Sequence, residues 1–480
     1  MSKILSNSGI KSQIRVKLTE SNNPFMHRLY IKDTVEKIDE KVTIYGRIQT
    51  IRDYGKLMFL DLKDETGLVQ AVSREKHELS EGDIVKIEGT VKKRPENLQN
   101  KNLETGTVEI QIESLEKISK SLVPPIPQDT DGYEIEENLR LKYRYIDLRR
   151  ERMQKNLRLR HQVASLARQF LNDEDFVEVE TPYLSKTTPE GSRDFLVPSR
   201  LHPGTFYALT QSPQQYKQML MLSGFEKYYQ FARAFRDEDL RADRQFEHTQ
   251  IDIEMAYVQR EDVMDLIERM YIKIAKKLGK KLLNEKFPVI KYEDAMKKYG
   301  ADKFDMREGK DQKDPNLLAF AWVVDFPLLE YDKEEKRYTF THNPFCSPKE
   351  EGVKDLMAEK NLDKLSSYQY DLVLNGEEVG GGSIRITDSK IQRQVFKVMG
   401  YLPKRIENEF GHLLNAYEYG APKHGGIAMG LDRFCAILAG ESSIREVIAF
   451  PMSKSGTTAV MTAPTEANEK ALKELKIKLL

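Results

Sequence analysis

The stretch Phe231–Tyr257, FARAFRDEDLRADRQFEHTQIDIEMAY, decides the fold. Its first part alternates aromatic or basic residues with alanines, and its last part alternates apolar residues with acids and an amide. Side chains that alternate with a period of two are typical of β-strands. The sequence therefore predicts a hairpin of two long antiparallel strands, joined by the charged loop DEDLRADRQFEHT at 237–249.

The two strands of this hairpin have faces of different character. On the second strand, one face is apolar and predicts a core contact, whereas the other carries Gln250, Asp252 and Glu254. On the first strand, Arg236 and Glu238 share a face cleared by two alanines, which leaves room for a ligand. The solvated side of an ordinary antiparallel sheet has a similar pattern, and a simple ion pair between Arg236 and Glu238 is the alternative interpretation.

The amino-acid sequence of the hairpin resembles motif 2 of the class II aminoacyl-tRNA synthetases. F-R-D-E at 235–238 precedes a long charged loop and a polar-faced strand, and LRADRQ and TQID are similar to the aspartate branch of that class. The resemblance implies that Arg236 binds the α-phosphate of ATP and that Glu238 binds the adenine side. It also implies ATP contacts at His248 and Gln250, and contacts with the acceptor end of tRNA at Arg241 and Arg244.

Composition limits the class of protein. The 480 residues correspond to roughly three domains at about 150 residues each. The 76 basic and 76 acidic residues balance, which argues against non-specific positive charge but allows a local nucleic-acid patch. Cys346 and Cys435 predict neither a disulfide framework nor a thiolate metal site. Without a signal-peptide core or an apolar run of about 20 residues, we expect a soluble cytoplasmic protein.

Five strand-like runs lie near the N-terminus: VTIYGRIQTI, KLMFLDLKD, GLVQAVS, DIVKIEGTVKK and TVEIQIESLEKI. Their number and the turns between them predict a small β-barrel of the oligonucleotide-binding (OB) type. Apolar residues at 58, 60 and 62 alternate towards the core, so Phe59 faces outwards. There it would stack on an unpaired base, or else pack under a loop. The predicted tRNA contacts of the barrel are Arg52, Asp53, Phe59 and Gln70.

A proline-rich linker follows the barrel, and then a strongly basic run at 139–161. The run predicts a helix with a solvated face, or a segment near a phosphate backbone. The helix leads into the short strand of FVEVETPYL, which ends at Pro182. This unit resembles motif 1 of class II synthetases, a dimer-interface element, and so implies a homodimer.

Two carboxylates, Asp371 and Glu378, lie beside the three glycines at 380–382. A bare glycine backbone permits close approach of a ligand, and paired carboxylates suit magnesium and phosphate. A tight turn with surface acids would have the same pattern. The resemblance implies that both carboxylates are magnesium ligands and that Glu378 also contacts ATP.

Arg385 stands in the middle of the strand-like GSIRI, opposite two isoleucines. Such an arginine often meets a carboxylate. The resemblance implies that this carboxylate is the side chain of substrate aspartate, with help from Lys217, while a structural ion pair with Asp388 is the alternative. The resemblance also implies aspartate contacts at Glu190, Ser212, Gln214, Asp252 and His342.

GLDR at 430–433 opens a predicted helix near the C-terminus and resembles motif 3, which implies that Arg433 binds the γ-phosphate. With Arg236 and Glu238 it completes the predicted catalytic set. The sequence contains no P-loop, and no H-E-x-x-H or C-x-x-C that would predict zinc.

Three departures from the bacterial aspartate branch stand out. Residues 295–318 are too few for the extra domain that is usual there. The usual proline and phenylalanine of P-E-F-T are replaced by Phe246 and His248, and His248 would stack on adenine but also titrate. Asn343 replaces one histidine of H-H-P-F, which affects substrate selectivity.

The fold predicted from these features is α+β. We expect a loose extension at 1–23, an OB-fold anticodon-binding domain at 24–121, a hinge at 122–150 and a class II catalytic domain at 151–480, whose antiparallel sheet is flanked by helices. The resemblance implies activation of L-aspartate by ATP with Mg²⁺, and transfer to tRNA(Asp), with tRNA(Asn) left open. The alternatives are an asparagine or lysine enzyme of the same subclass and a non-catalytic RNA-binding relative.

Overall fold

The computed structural model describes residues 28–187 and 191–479. The chain divides into two compact units, Met1–Pro125 and Ile126–Leu480. The extension expected at 1–23 and the predicted site residue Glu190 lie outside the described residues. In the described part of the chain, no helix combines the length and the apolar character that a membrane span requires.

The first unit is a closed five-stranded barrel with the strand order β1-β2-β3-β5-β4. The apolar residues predicted to point inwards, Met58, Leu60 and Leu62, are at most 5% exposed, so the alternation in the sequence reports the barrel interior. All five predicted strands are confirmed, with ends that differ by two residues at most. They are β1 (Lys41–Asp53), β2 (Met58–Lys63), β3 (Leu68–Ser73), β4 (Ile84–Lys93) and β5 (Val108–Ser119).

The second unit is built on an eight-stranded sheet with the order β13-β15-β18-β19-β20-β11-β10-β6. The six strands from β15 to β10 pair antiparallel, and only the edge strands β13 and β6 pair parallel to their neighbours. The strands are β6 (Val177–Glu178), β7 (Leu184–Ser185), β8 (Leu196–Pro198), β9 (Phe206–Leu209), β10 (Lys227–Phe235), β11 (Glu247–Ala256), β12 (Lys281–Leu282), β13 (Val289–Lys291), β14 (Leu317–Leu318), β15 (Phe320–Val324), β16 (Leu329–Asp332), β17 (Arg337–Phe340), β18 (Gln369–Leu374), β19 (Glu377–Ile384) and β20 (His424–Gly430).

Helices cover this sheet, and the largest core combines α3, α5 and α10 with the apolar side chains of β11, β15, β18 and β20. A second core forms around α8 and α9. The helices are α1 (Glu137–Lys142), α2 (Arg144–Asp147), α3 (Glu151–Asp173), α4 (Gln214–Leu222), α5 (Arg260–Lys277), α6 (Tyr292–Tyr299), α7 (Val353–Met357), α8 (Ser389–Val398), α9 (Pro403–Tyr417), α10 (Leu431–Ala439) and α11 (Glu469–Leu475). The α+β architecture with a barrel and a helix-flanked sheet is confirmed.

The predicted hairpin is formed by β10 and β11, which pair antiparallel from Lys227↔Met255 to Phe235↔Glu247. Ile251 and Ile253 enter the main core, as expected. The opposite face is not solvated, because Gln250, Asp252 and Glu254 are at most 4% exposed. Buried carboxylates need partners, so this polar face indicates a site rather than an ordinary sheet surface.

The part of the basic run at 139–161 that lies on α3 has the predicted solvated face, with Lys155, Arg158 and His161 exposed, whereas the residues before α3 form a buried ionic cluster. Arg140, Arg144 and Arg150 are at most 4% exposed and all contact Asp147, at 3.0, 2.8 and 2.7 Å. Arg140 also pairs with Glu446, 2.7 Å away. These arginines are paired internally, so they are not the phosphate contacts that the charge run suggested.

Candidate active site

A cleft of about 350 Å³ opens where the hairpin β10–β11 meets β19, β20 and the start of α10. Strand pairing brings together side chains that are far apart in sequence. The predicted ligand-binding residues that line the cleft are Ser212, Gln214, Lys217, Arg236, Glu238, Arg244, His248, Gln250, Asp252, His342, Glu378, Arg385 and Arg433. Of the other residues predicted for this unit that the structure describes, Arg241 is exposed on the hairpin loop, and Asp371 is buried beside Gly381, which lines the cleft.

The floor of the cleft holds two cations and two carboxylates. The Lys217 Nζ lies 2.5 Å from Oδ1 of Asp252 and 3.2 Å from Oε2 of Glu254. The Arg385 guanidinium forms a bidentate pair with Glu254: Nε donates to Oε1 at 2.9 Å, and Nη2 donates to Oε2 at 3.1 Å. Although burial opposes ionisation, Arg385 and then Lys217 lower the pKa of Glu254 to about 2. The floor is therefore a compact, ionised and charge-balanced network.

Glu254 was not among the predicted site residues, although the sequence places it on the same strand face as Asp252. The alternative partner suggested for Arg385, Asp388, is wrong, because Asp388 caps the N-terminus of α8 through Lys390 and Ile391. Gly426 explains how Glu254 and Arg385 come so close: a Cβ at this position would lie 2.2 Å from the Glu254 carboxylate.

Arg385 has further partners in addition to Glu254. Its Nη1 donates to Ser383 Oγ at 2.7 Å, and its Nη2 donates to the carbonyl of Gly426 at 3.2 Å. A guanidinium carries five N–H donors, so these contacts and the two to Glu254 leave one N–H without a partner among the described residues. The held guanidinium thus has one donor available for a ligand.

The cleft is also lined by the two arginines predicted to bind phosphate, Arg236 and Arg433. Arg236 directly follows β10, and its Nε donates to the carbonyl of Gln211 at 3.3 Å. The ion pair considered between Arg236 and Glu238 is replaced by other contacts of Glu238. Its carboxylate accepts from Ser192 Oγ at 2.5 Å and pairs with Arg244 at 3.4 Å.

Arg433 lies in the first turn of α10, where the dipole of the helix favours an anion. Its Nη2 is 3.0 Å from Oδ2 of Asp243 in the hairpin loop, and its Nη1 donates to the carbonyl of Glu378. The neighbouring Asp432 accepts from the backbone N–H of Thr249 at 2.9 Å, which fixes the helix start against β11.

His248 lies between the two phosphate-end arginines. Its burial in the cleft, followed by the charges of Arg236 and Arg433, lowers its pKa to about 3. The surroundings of His248 thus disfavour its charged form. A neutral imidazole remains suited to stacking on a base.

Asp371 and Glu378 converge on Gly381, as the sequence suggested. A Cβ on Gly381 would lie 3.0 Å from Asp371 and 3.4 Å from Glu378. The Asp371 oxygens accept from His342 Nε2 at 2.8 Å and from Gln369 Nε2 at 2.7 Å. Burial raises the pKa of Asp371, whereas Lys303, followed by Arg433, lowers that of Glu378 against its own burial.

The two carboxylates fit a magnesium ion that takes its other ligands from phosphate and water. Among the described residues, no group of three or more His, Cys, Asp or Glu side chains forms a metal cage by itself. Two buried atoms beside Asp371, the Nδ1 of His342 and the Oε1 of Gln369, have no hydrogen-bond partner in the described part of the chain. Such atoms are typical of a place where ligand or water binds.

His342 is paired with Asp371. Although burial alone would lower its pKa, the Asp371 carboxylate raises it to about 9. The side chain of Asn343, the departure next to it, accepts from the backbone N–H of Phe345 at 3.0 Å. Asn343 thus shapes its own loop, and both it and His342 line the cleft.

The barrel unit has a separate cavity of about 250 Å³ lined by Arg52 and Gln70. Arg52 forms a bidentate pair with Asp61, with both distances 2.8 Å. Phe59 is half-buried, with its ring 5.8 Å from that of the exposed Tyr54. Two further predicted contacts are engaged: Gln70 donates to Glu109 at 3.2 Å, and Asp53 pairs with Lys76 at 3.1 Å.

Comparison with known families identifies two matches. Residues 136–454 match the class II tRNA synthetases (D, K and N), and residues 42–118 match the OB-fold nucleic acid binding domain of the tRNA anticodon type. The two matches cover the sheet with its cleft and the barrel.

Curated relatives align along most of the chain. An aspartate–tRNA ligase of Staphylococcus carnosus is 37% identical, covering 93% of this chain and 98% of the relative. An aspartate–tRNA(Asp/Asn) ligase of Caldanaerobacter subterraneus subsp. tengcongensis is 39% identical, covering 93% and 97%. The first alignment spans 577 positions, whereas 93% of 480 residues is about 446. About 130 positions of that relative therefore have no counterpart in this chain.

A solved structure shares the fold. The asparaginyl-tRNA synthetase of Pyrococcus horikoshii superposes with a TM-score of 0.70 at 22% identity, covering 89% of this chain and 98% of that structure.

Proposed function

This chain belongs to the class II tRNA synthetases, and we propose that it is an aspartate–tRNA ligase that activates L-aspartate with ATP and transfers it to tRNA(Asp). The observation that carries the proposal is the Arg385–Glu254–Lys217 network in the cleft floor. Curated relatives with this activity, 37–39% identical, support it along nearly the whole chain.

The floor network suits the side-chain carboxylate of aspartate. Glu254 holds Arg385 in one orientation, and one guanidinium N–H is left to donate to an anion. A lysine substrate would bring a third cation to Lys217 and Arg385. Asparagine has a neutral amide, which supplies no charge to the donor and leaves a buried N–H₂ without a partner.

Of the other predicted aspartate contacts, Ser212, Gln214, Asp252 and His342 line the same cleft. Asp252, held by Lys217 and Gln250, is proposed to bind the α-ammonium group. Ser212 and Gln214 precede and open α4, which carries Lys217. Glu190 belongs to the same proposed set, and His342, whose pKa is raised to about 9, adds a positive charge.

Activation needs positioning and charge neutralisation. The α-carboxylate oxygen of aspartate attacks the α-phosphorus, the bond to the bridging oxygen breaks, and pyrophosphate leaves. Arg236 neutralises the α-phosphate during this step, and Arg433 binds the γ-phosphate. Glu238, His248 and Gln250 are proposed to hold adenine.

Magnesium is proposed as the metal of this site, held by Asp371 and Glu378. When bound, it supplies Lewis-acid stabilisation of phosphate charge. Support comes from the convergence of both carboxylates on the bare backbone of Gly381. A side chain there would crowd both oxygens, so glycine preserves the space.

In the second step, the terminal adenosine hydroxyl of tRNA attacks the aspartyl carbonyl and AMP leaves. We propose that Arg241 and Arg244, both exposed on the hairpin loop, guide the acceptor end. Arg52, Asp53, Phe59 and Gln70 of the barrel are proposed to contact the anticodon. The OB-fold match over 42–118 supports a nucleic-acid role for the barrel.

A homodimer is proposed from the motif 1 resemblance. The motif 1 strand β6 is the edge of the main sheet, and Val177 and Leu184 near it are about half exposed. A monomer in light scattering would contradict this assembly. Cytoplasmic location is proposed as well, in keeping with two buried free cysteines.

Charging of labelled aspartate onto separate tRNA(Asp) and tRNA(Asn) transcripts tests the proposal. Charging of tRNA(Asp) alone indicates a discriminating enzyme. Charging of both is the second candidate function, which the Asp/Asn name of one relative favours. If aspartate supports neither charging nor ATP–pyrophosphate exchange, the chain is not an aspartate–tRNA ligase.

A further inference from the structure

Lys303 brings a cation to the cleft from the polar stretch 295–318, for which the sequence pattern predicts no functional residue. It lines the same cleft as Arg433, Glu378 and His342. Its Nζ lies 3.2 Å from Oε2 of Glu378, while Arg433 donates to the carbonyl of the same residue. Two cations therefore meet at Glu378, one at its side chain and one at its main chain.

We infer that Lys303 is a further ATP-contacting residue, whose ammonium group binds the phosphates that leave as pyrophosphate. The inference rests on the proposed function, because it assigns a role within the same activation step. An ammonium group is a compact point charge that suits phosphate oxygens, and Arg433 beside it is the residue proposed for the γ-phosphate.

The backbone around Lys303 is fixed by its neighbours. Phe304 is 5% exposed, and its ring stacks on that of Tyr299 with centroids 4.1 Å apart. Arg307 clamps Asp305 at 3.0 and 2.8 Å and donates to the carbonyl of Asp314. These contacts hold the backbone on both sides of Lys303, so its side chain starts from a fixed position at the edge of the cleft.

The Lys303 side chain keeps freedom within this fixed backbone. It is about one-third exposed, and its one ion-pair partner in the described structure is Glu378, whose charge would be shared with magnesium if the metal binds there as proposed. The ammonium group then needs a new anion, and the pyrophosphate end of ATP supplies one. A mere counter-ion of Glu378 would be expected to compete with the metal instead of assisting the nucleotide.

The test compares Lys303→Met and Lys303→Arg with Lys310→Met, a matched control on an exposed lysine of the same stretch. We expect Lys303→Met to raise KM for ATP and for pyrophosphate by about tenfold to a hundredfold, the range of a lost charged hydrogen bond. KM for aspartate and the single-turnover transfer from preformed aspartyl-adenylate to tRNA should stay unchanged. Lys303→Arg should recover part of the loss, and Lys310→Met should behave as the wild type.

ATP binding by calorimetry, with and without Mg²⁺, provides a readout that is independent of turnover. Weaker ATP binding by Lys303→Met supports the inference. It is overturned if pyrophosphate and ATP affinities do not change while half-saturation by Mg²⁺ falls, since Lys303 is then only a counter-ion. It is also overturned if all parameters and the melting temperature fall together. Wild-type protein without aspartate-dependent exchange would contradict the proposed function, whereas the calorimetric comparison would still decide the role of Lys303.

Discussion

Arg385 and Glu254 are 131 positions apart in the chain, yet they form a bidentate ion pair in the cleft floor. Replacing Arg385 by Leu should abolish aspartate-dependent ATP–pyrophosphate exchange while ATP still binds. The same change leaves Glu254 buried without its main partner, which costs about 3–5 kcal/mol of stability. Thermal denaturation and exchange measurements, made on the same variant, record the two losses separately.

A double variant separates binding from folding. Changing both Arg385 and Glu254 to Leu removes the unpaired charge, so much of the lost stability should return. Aspartate activation should not return, because the donor for the substrate is still missing. Recovery of activation in the double variant would contradict the proposed pocket.

His248 has a folded pKa of about 3, below the value of about 6.5 for an unfolded histidine. Below about pH 6.5, His248 therefore binds a proton in the unfolded chain but not in the folded protein, so acid favours unfolding. Replacing His248 by Phe removes this penalty. The melting temperature of the variant, relative to the wild type, should rise as the pH falls from 7 to 4. A difference that stays constant over this range would show that His248 does not titrate as inferred.

Single residues also mark where the sequence was insufficient. Glu254 shares a predicted strand face with Asp252, yet its pairing with Arg385 depends on how β11, β20 and β19 lie side by side. Lys303 is one lysine in a polar stretch, and no periodicity sets it apart. Contacts between distant strands and loops are decided by tertiary packing, so local sequence patterns do not predict them.

At the scale of elements, the loop between β10 and β11 is joined to α10 by the Asp243–Arg433 pair. The loop backbone has its own support, since Ala242 accepts from Ile444 N–H at 3.1 Å. Asp243→Ala should therefore leave the loop folded and free Arg433 for phosphate. A partly exposed pair contributes about 0.2–1 kcal/mol, so KM for ATP should fall by up to about fivefold. Asp239→Ala, on an exposed acid of the same loop, is the control; a higher KM in Asp243→Ala would contradict this competition.

The Asp147 cluster joins α1, α2 and α3 to the segment that follows α10. Although burial opposes it, hydrogen bonds from Arg140 and Arg150 lower the pKa of Asp147. The stability that it contributes is therefore present above its unfolded pKa of about 4 and is lost as the pH falls through the lower folded value.

Asp147→Asn should lower the free energy of unfolding by about 3–5 kcal/mol at pH 7, because three arginines lose a buried anion. The difference in the free energy of unfolding between Asp147→Asn and the wild type should become smaller below about pH 4. Chemical denaturation at several pH values measures both effects. Asp173→Asn, at an exposed carboxylate 3.1 Å from Lys273, should cost less than about 1 kcal/mol; equal losses in the two variants would argue against the cluster.

Elements were predicted well where their pattern is local. The five barrel strands and the hairpin have a period of two that survives in the structure, because each has one face in a core. For the basic run at 139–161, the charge pattern predicted the solvated face of α3 but not the buried cluster before it, because charge along a helix does not show which acids will pair with it. Its partner Glu446 comes from about 300 residues further along the chain.

At the scale of the whole molecule, the cleft and the barrel face belong to different compact units. The order of the units and their fold class follow from sequence patterns and resemblance. About 130 positions of a curated relative have no counterpart here, and the main sheet of this chain is an uninterrupted series of eight paired strands. An insertion can be absent without damage when its ends lie outside the central sheet. Residues 295–318, which run from within α6 to the end of β14, contribute no strand to the eight-stranded sheet.

Because the barrel and the cleft belong to different units, a change in the barrel should affect tRNA binding but not amino-acid activation. Replacing Phe59 by Ala removes a stacking surface worth about 1–3 kcal/mol per base, so KM for tRNA should rise by about fivefold to more than a hundredfold. ATP–pyrophosphate exchange should be unchanged, because every residue proposed for activation lies in the second unit. Ile38→Ala, at an exposed residue just before β1, controls for loss of apolar surface. If Phe59→Ala leaves KM for tRNA unaltered, the ring serves only to pack against Tyr54, and the anticodon must be recognised elsewhere on the barrel.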